Sequence, residues 1–472
     1  MSVEHIIAFN LADTFYIGQL GADQLAAMSF TFPVVFTVGG ISVGMGIAAG
    51  AIISRAIGEG DAARVRMLST NALILSVALV AIVVLVGRTT IDPLFTAMGA
   101  GPELLPYIRD YMDIWYLGSI FLVVPMVGNS IIRAHGDAKT PGLTMALFAL
   151  MNAALSPLLV FGMFGLPRME IAGAAVATVI TRALSLALAL GILYYRDKVI
   201  EVSGRVISGF GQCSREIMAM GAPAAATQMI APVSTLIITA LVARYGADAV
   251  AAFGVATRIE ALFLIPFMAL SSGLAPFVGQ NLGAGRTDRV REALKLSFLF
   301  SMLWGAGSFL VLILGGEMFA RAFNDDAPQI PVLAASYLWM VGLALAGGGV
   351  TMLVGSALNP LGRPYLAAAI SFLRFVLLYL PLGLLLSAPF EARGVFAAAA
   401  ISYLAAGAAS LWAIRYALAN AKPAGRAQPP GPPPEAMALS GEGPPSPRPD
   451  QRPEEPQAGE LKNPPAGSQS YP

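Results

Sequence analysis

The chain has one cysteine, Cys213, and two histidines, His5 and His135. A single thiol excludes an intrachain disulfide, and so few Cys and His exclude a metal centre built from them. Charge is also scarce. Only 12% of residues are Asp, Glu, Lys or Arg, about half the share of an ordinary soluble domain. Lys and Arg number 29, Asp and Glu 28, and the net charge is +1. That balance gives no basic excess for nucleic acid and no acidic block for a solvating tail. No H-E-x-x-H helix, no Gly-Lys-Ser/Thr phosphate loop and no Ser/His pair is present, so an enzyme is not expected. No cofactor is expected either.

What is abundant is apolar. Of 472 residues 56% are hydrophobic, and the mean hydropathy is +0.71. A membrane-crossing helix needs about 20 apolar residues. Leu25–Ile53, Leu68–Val86, Ile108–Ile132, Leu143–Phe164 and Ile171–Tyr195 meet this, then Ile217–Ala243, Ala249–Val278 and Ala293–Leu314. Pro331–Leu358, Tyr365–Leu386 and Gly394–Ala419 complete eleven spans. A twelfth, Val3–Ile17, is short and carries Glu4, His5, Asn10 and Asp13. Alternate loops carry unequal basic charge. One set, including Arg55, Arg64, Arg66, Arg133, Lys139, Arg196 and Arg363, outweighs the other, which holds only Arg88, Arg109, Arg168, Arg244, Arg321 and Arg393. The richer set belongs to the cytoplasmic side, so both termini are expected on the cytoplasmic side of a bacterial inner membrane.

The last fifty residues differ. From Pro423 to Pro472 lie 15 of the 33 prolines. Proline lacks an amide donor, and a tail this poor in apolar side chains cannot bury a core. A disordered tail over 421–472 is the expectation.

The apolar region repeats. Gly21-Ala22-Asp23 and Ala26-Ala27 recur as Gly246-Ala247-Asp248 and Ala251-Ala252. Gly58-x-Gly60-x-x-x-Arg64-Val65-Arg66 recurs as Gly283-x-Gly285-x-x-x-Arg289-Val290-Arg291. The offset is 246 − 21 = 225 in the first and 283 − 58 = 225 in the second. The fold class expected is therefore an all-α polytopic membrane protein of about 12 helices in two pseudo-symmetric six-helix lobes. The lobes are residues 1–195 and 217–420, joined by a cytoplasmic linker at 196–216. Six spans per lobe make the repeats parallel, related by an axis along the membrane normal. By the same offset, the opening of span seven has no counterpart after Met1, so the first helix reads as truncated.

With these residues in hand the chain resembles the multidrug and toxic compound extrusion (MATE) family of secondary antiporters. The resemblance is carried by Asn10-Leu11-Ala12-Asp13-Thr14-Phe15-Tyr16-Ile17-Gly18, by Arg133-x-x-Gly136-Asp137, and by Asn152 with Pro157 and Phe161-Gly162. Gly173-Ala174-Ala175-x-Ala177-Thr178, Gly221-x-Pro223 and Gly279-Gln280-Asn281-Leu282-Gly283-Ala284 extend it. It covers roughly Asn10–Ala419 and looks closest to the branch named for the DNA-damage-inducible F protein, which carries a Glu in span eight as Glu260 does here. The resemblance implies export of amphipathic, often cationic, small molecules against entry of H⁺ or Na⁺. A lipid-linked oligosaccharide flippase of the same wider superfamily is the alternative, and it would need a strongly basic cavity.

Ionisable groups inside spans are functional candidates by default. Asp13 is the leading cation- or proton-coupling residue, matching the family's span-one Asp. Asn152 and Thr178 are its expected companions. Ser156, before Pro157, stands where the related branch often has an acid. Glu260 is the second-lobe candidate. Asn10, Gln228, Arg258 and Arg374 are candidates for the cavity or for ion pairs. Residues two apart on a helix do not face each other, so Arg374 rather than Arg258 is the expected partner of Glu260. Met126, Met229 and Met268 are candidates for an adaptable apolar wall, and Gly347-Gly348-Gly349 for an unwound turn. The expected partners are the lipid bilayer and a small-molecule substrate, with no nucleic acid, and the chain is expected to be a monomer.

Overall fold

A computed structural model describes residues 16–17, 19–165, 167–201, 203–323 and 329–420. Asn10, Asp13, most of the short first span and the proline-rich 421–472 lie outside the described residues.

Lipid offers no hydrogen bonds, so a spanning segment must satisfy its backbone internally. The described residues do this with helices. In chain order these are α1 (Ala22–Glu59), α2 (Ala62–Thr89), the short α3 (Ile91–Ala97), α4 (Leu105–Gly118), α5 (Ile120–Ala134), α6 (Lys139–Phe161) and α7 (Glu170–Gly191). Then follow α8 (Gly204–Val242), α9 (Ala247–Gly283), α10 (Thr287–Phe323), α11 (Gln329–Leu358), α12 (Pro364–Phe372) and α13 (Leu380–Ala419). Ten stretches among the described residues are long and apolar enough to cross a membrane. The last, Pro364–Ala419, runs 56 residues and turns at Glu391, with φ 53° and ψ −136°. It therefore holds two crossings, and the eleven expected between Leu25 and Ala419 are all present. α1, at 38 residues, is about 57 Å long, well beyond the roughly 30 Å hydrocarbon core.

One boundary differs from expectation. Residues 204–216, read as linker from their polarity, are the opening turns of α8. The buried Cys213 and Ile217 pack with Met45, Ile53 and Leu68 of α1 and α2. Burial against those helices extends α8 past its apolar stretch.

The 225-residue offset reappears as backbone geometry. Gly21 and Gly246 both precede a helix at positive φ, 155° and 100°. Gly60 and Gly285 are both left-handed, at 76° and 71°. Gly60 closes α1 by donating to the last-turn carbonyls, as a left-handed C-terminal glycine does. Asp61 then accepts from the Arg64 amide at 2.9 Å and starts α2.

Four hydrophobic clusters form the core. Two draw on residues between Ile17 and Ile217, and two on residues between Ile238 and Ala417. Between these groups the backbones approach closely at glycine. A Cβ at Gly44 would lie 2.5 Å from the Ala225 nitrogen, and Gly58 packs directly on the Gln280 backbone. Gln280 Nε2 donates to the Ala134 carbonyl at 2.7 Å. Arg64 joins Glu59 at 2.8 Å and Glu216 at 3.1 Å. All but the Gly44 approach lie at the end of the molecule that carries Gly60 and the richer basic loops.

Candidate functional site

A cavity of about 690 Å³ lies between the two sets of helices. That size is within the 300–1,000 Å³ range of small-molecule sites. Its wall takes Ser42, Gly46, Met126 and Arg133 from α1 and α5, and Gln228, Met268, Arg374 and Tyr403 from α8, α9, the α12–α13 region and α13. Ala138 and Asn359 bring it to the loops of the basic end. Met126 and Met268 are in this wall, as the sequence suggested, whereas Met229 instead packs against Gly40 of α1. The charged side chains in the wall are Arg133 and Arg374; no Asp or Glu is among its described lining residues.

Arg133 ends α5, and its Nη2 donates to Ser130 Oγ at 2.7 Å. Just beyond, Asp137 accepts from the Thr140 amide at 2.9 Å, from Thr140 Oγ1 at 2.5 Å and from Arg196 at 2.7 Å. The Thr140 hydroxyl and amide, then Arg196, hold the Asp137 carboxyl down at about 2. The loop at this end of the cavity is thereby pinned.

Arg374 sits in a π-helical stretch, Leu373–Tyr379, between α12 and α13. The wider turn re-aims side chains relative to a plain α-helix. The guanidinium carbon lies 3.8 Å from the Tyr403 ring centroid and 4.3 Å from that of Phe375. Arg374 Nε is buried with no hydrogen-bond partner among the described residues. Cation–π contact of this kind is worth about 0.5–2 kcal/mol.

Glu260, on α9, is 7% exposed. Its Oε2 accepts from the Tyr337 hydroxyl at 2.6 Å, and its Oε1 from the Tyr403 hydroxyl at 2.5 Å. Tyr337 comes from α11 and Tyr403 from α13, so three helices meet on one carboxyl. Phe253 and Phe396 complete the setting, with ring centroids 5.7 Å and 5.2 Å from that of Tyr337. No ion pair joins Glu260 to Arg374 among the described residues; Tyr403 touches both instead. Arg258 is exposed and lies off this cluster.

The Gly347-Gly348-Gly349 run does not unwind α11, which is continuous from Gln329 to Leu358. A Cβ at Gly347 would lie 2.7 Å from the Tyr403 carbonyl oxygen, and Cβ atoms at Gly348 and Gly349 would strike the rings of Tyr403 and Phe267. The glycines are packing surfaces for those rings.

Elsewhere, Asn152 Nδ2 donates to Thr178 Oγ1 at 3.2 Å, joining α6 to α7. Asn152 and Ser156 are fully buried, and Asn152 Oδ1 has no partner among the described residues. The Tyr16 hydroxyl donates to the Ala153 carbonyl at 3.2 Å. Asn152 and Thr178 thus meet each other, away from the cavity wall; Asp13, whose companions they were expected to be, lies outside the described residues. Tyr337 and Tyr403 were missed. The signal was there, since a Tyr in an apolar helix needs a partner for its hydroxyl, but the sequence does not say which.

The chain is similar to characterised membrane proteins over most of its length. It is 38% identical over 404 residues to a Shewanella oneidensis protein named FAD transporter, covering 86% of this chain and 89% of that one. It is 24% identical over 360 residues to the multidrug export protein MepA of Staphylococcus haemolyticus, covering 76% and 78%. The crystal structure of the Vibrio cholerae MATE transporter VcmN in the bent form matches with a TM-score of 0.83 at 28% identity, over 88% of this chain and 94% of that one. The sequence profile described as MatE matches residues 3–158 and 223–385. This chain therefore belongs to the MatE family of multi-pass membrane transporters, and is a transporter and not an enzyme.

Proposed function

We propose that this protein is a secondary antiporter that exports an anionic, phosphate-bearing amphipathic molecule in exchange for H⁺ or Na⁺. Two six-helix lobes, residues 1–195 and 217–420, would give alternating access. The observation that carries this reading is the charge of the cavity, whose described wall holds Arg133 and Arg374 and no carboxylate. A cationic substrate of the kind the family resemblance implies would meet two like charges in a low-dielectric space, where repulsion is weakly screened. An anion would find two guanidinium groups suited to phosphate. The Met-lined apolar wall suits a flat ring system. The name of the Shewanella relative makes FAD, a dinucleotide with a diphosphate and a flat flavin, the first compound to test.

Coupling rests on Asp13 and Glu260 in this reading, with Asn152, Thr178 and Ser156 around the former. A coupling ion can drive transport only by binding one state better than the other. Glu260 suits that role because it is buried, meets three helices and is one residue removed from the cavity through Tyr403.

A cationic amphipath is the second reading, favoured by similarity to multidrug exporters such as MepA. Transport of FAD and of a cationic dye, measured in proteoliposomes under separate pH and Na⁺ gradients, decides between them. FAD movement driven by one gradient, with no dye movement, supports the proposal and names the ion. Dye movement without FAD movement overturns it.

A further inference from the structure

We infer that Arg374 is the residue that grips the anionic group of the substrate, and that Tyr403 is the positioning residue that presents it. This inference rests on the anionic-substrate reading above.

Arg374 and Arg133 share the cavity wall, but their surroundings differ. Arg133 donates to Ser130 at the loop end. Arg374 lies in the stretch between α12 and α13, and shares its part of the wall with Gly348 and Thr351 of α11. Among the described residues no carboxylate pairs with it; its contacts are the rings of Tyr403 and Phe375. A charge at an apolar wall without a counter-charge is costly. A phosphate entering the cavity would supply the counter-charge, and a guanidinium can bind it with two parallel hydrogen bonds.

The guanidinium also has a fixed seat. Its central carbon lies 3.8 Å from the Tyr403 ring centroid, which fixes where the guanidinium sits. The Tyr403 ring in turn has little freedom. One side abuts Gly348, where a side chain would collide with it. The far end is tied by its hydroxyl to Glu260. Substrate grip and Glu260 are therefore connected through one ring, which gives a physical route for coupling energy between two sites.

The test uses the full chain in proteoliposomes, with FAD and uncharged riboflavin as paired substrates. Inorganic pyrophosphate binding to the detergent-purified protein, read by tryptophan fluorescence, is the second measurement. Arg374→Gln should lower the FAD-over-riboflavin ratio of kcat/KM roughly tenfold or more, mainly through KM, and weaken pyrophosphate binding comparably. Arg374→Lys should recover part of both, because it restores charge without the planar fork. Tyr403→Leu, which removes the seat but leaves the charge, should raise the FAD KM more than Tyr403→Phe, which keeps the ring. Thermal melting checks that each variant is folded. Unchanged FAD KM in folded Arg374→Gln overturns the inference while leaving the anionic-substrate reading intact. Pyrophosphate binding that depends on Arg374, in a protein that moves no FAD, overturns FAD as substrate and upholds the inference. Absence of both FAD transport and pyrophosphate binding in the unmodified protein overturns the two together.

Discussion

Tyr403 donates its hydroxyl to Glu260 at 2.5 Å from a helix 143 residues further along the chain. An intramolecular hydrogen bond is worth about 0.5–1.5 kcal/mol, and here it ties α9 to α13. Tyr403→Phe should lower stability by roughly that amount, with Tyr337→Phe costing a similar amount. Because both bonds end on one carboxyl, the double variant should depart from additivity. Melting in detergent checks it; strictly additive losses would mean the two hydroxyls do not share Glu260.

Gly348 is the tightest support of that ring. Gly348→Ala places a Cβ inside the space of the Tyr403 ring. Overpacking of this kind costs about 1–3 kcal/mol. Gly307, on α10, has open space at its Cβ. Gly307→Ala should be neutral or slightly stabilising, since alanine is the better helix former by about 1 kcal/mol. Equal melting temperatures for the two variants would contradict the packing role given to Gly348.

The loop beside the cavity should show acid sensitivity. Asp137 is held at about 2 in the folded protein, against about 3.9 for an unperturbed Asp. A lowered folded pKa contributes stability above the unfolded value and loses it as pH falls through the folded one. Asp137→Asn should therefore destabilise the protein at pH 7 by about 1 kcal/mol, as partly exposed ion pairs do. The difference from wild type should shrink between about pH 4 and pH 2. A pH-independent difference would mean that the carboxyl is not held by its charge.

Asn152→Ala separates packing from coupling in the first half. The bond to Thr178 is an interhelical polar contact, worth about 0.6 kcal/mol on average in membranes. The variant should melt within about 1 kcal/mol of wild type, yet lose gradient-driven transport if Asn152 Oδ1, without a partner among the described residues, serves the coupling ion. Normal transport in a folded Asn152→Ala would make the pair structural only.

The spans could be read in the sequence alone. Lipid demands about twenty apolar residues per crossing, and that demand is local, so Leu25–Ile53 or Pro331–Leu358 needs no partner to be recognised. The repeat could be read for a related reason. Gly21 with Gly246, and Gly60 with Gly285, hold positive φ, and a backbone constraint leaves its mark at a fixed offset. Asn152 and Thr178 stood out through the family resemblance as companions of Asp13, and the fold joins them to each other. What the tertiary structure decided is how side chains from distant spans combine. Glu260, Tyr337, Arg374 and Tyr403 are individually unremarkable polar residues in apolar helices. The sequence pointed to a direct pairing of Glu260 with Arg374, and the fold inserts the Tyr403 ring instead. The glycine run of α11 looked like a break and is a bed for that ring. Even the start of α8 moved thirteen residues upstream, from Ile217 to Gly204, once Cys213 was buried against another helix. Periodicity and composition fix what each segment must do to its solvent. Which rings and charges meet depends on how the helices cross, and that is set only when all of them pack.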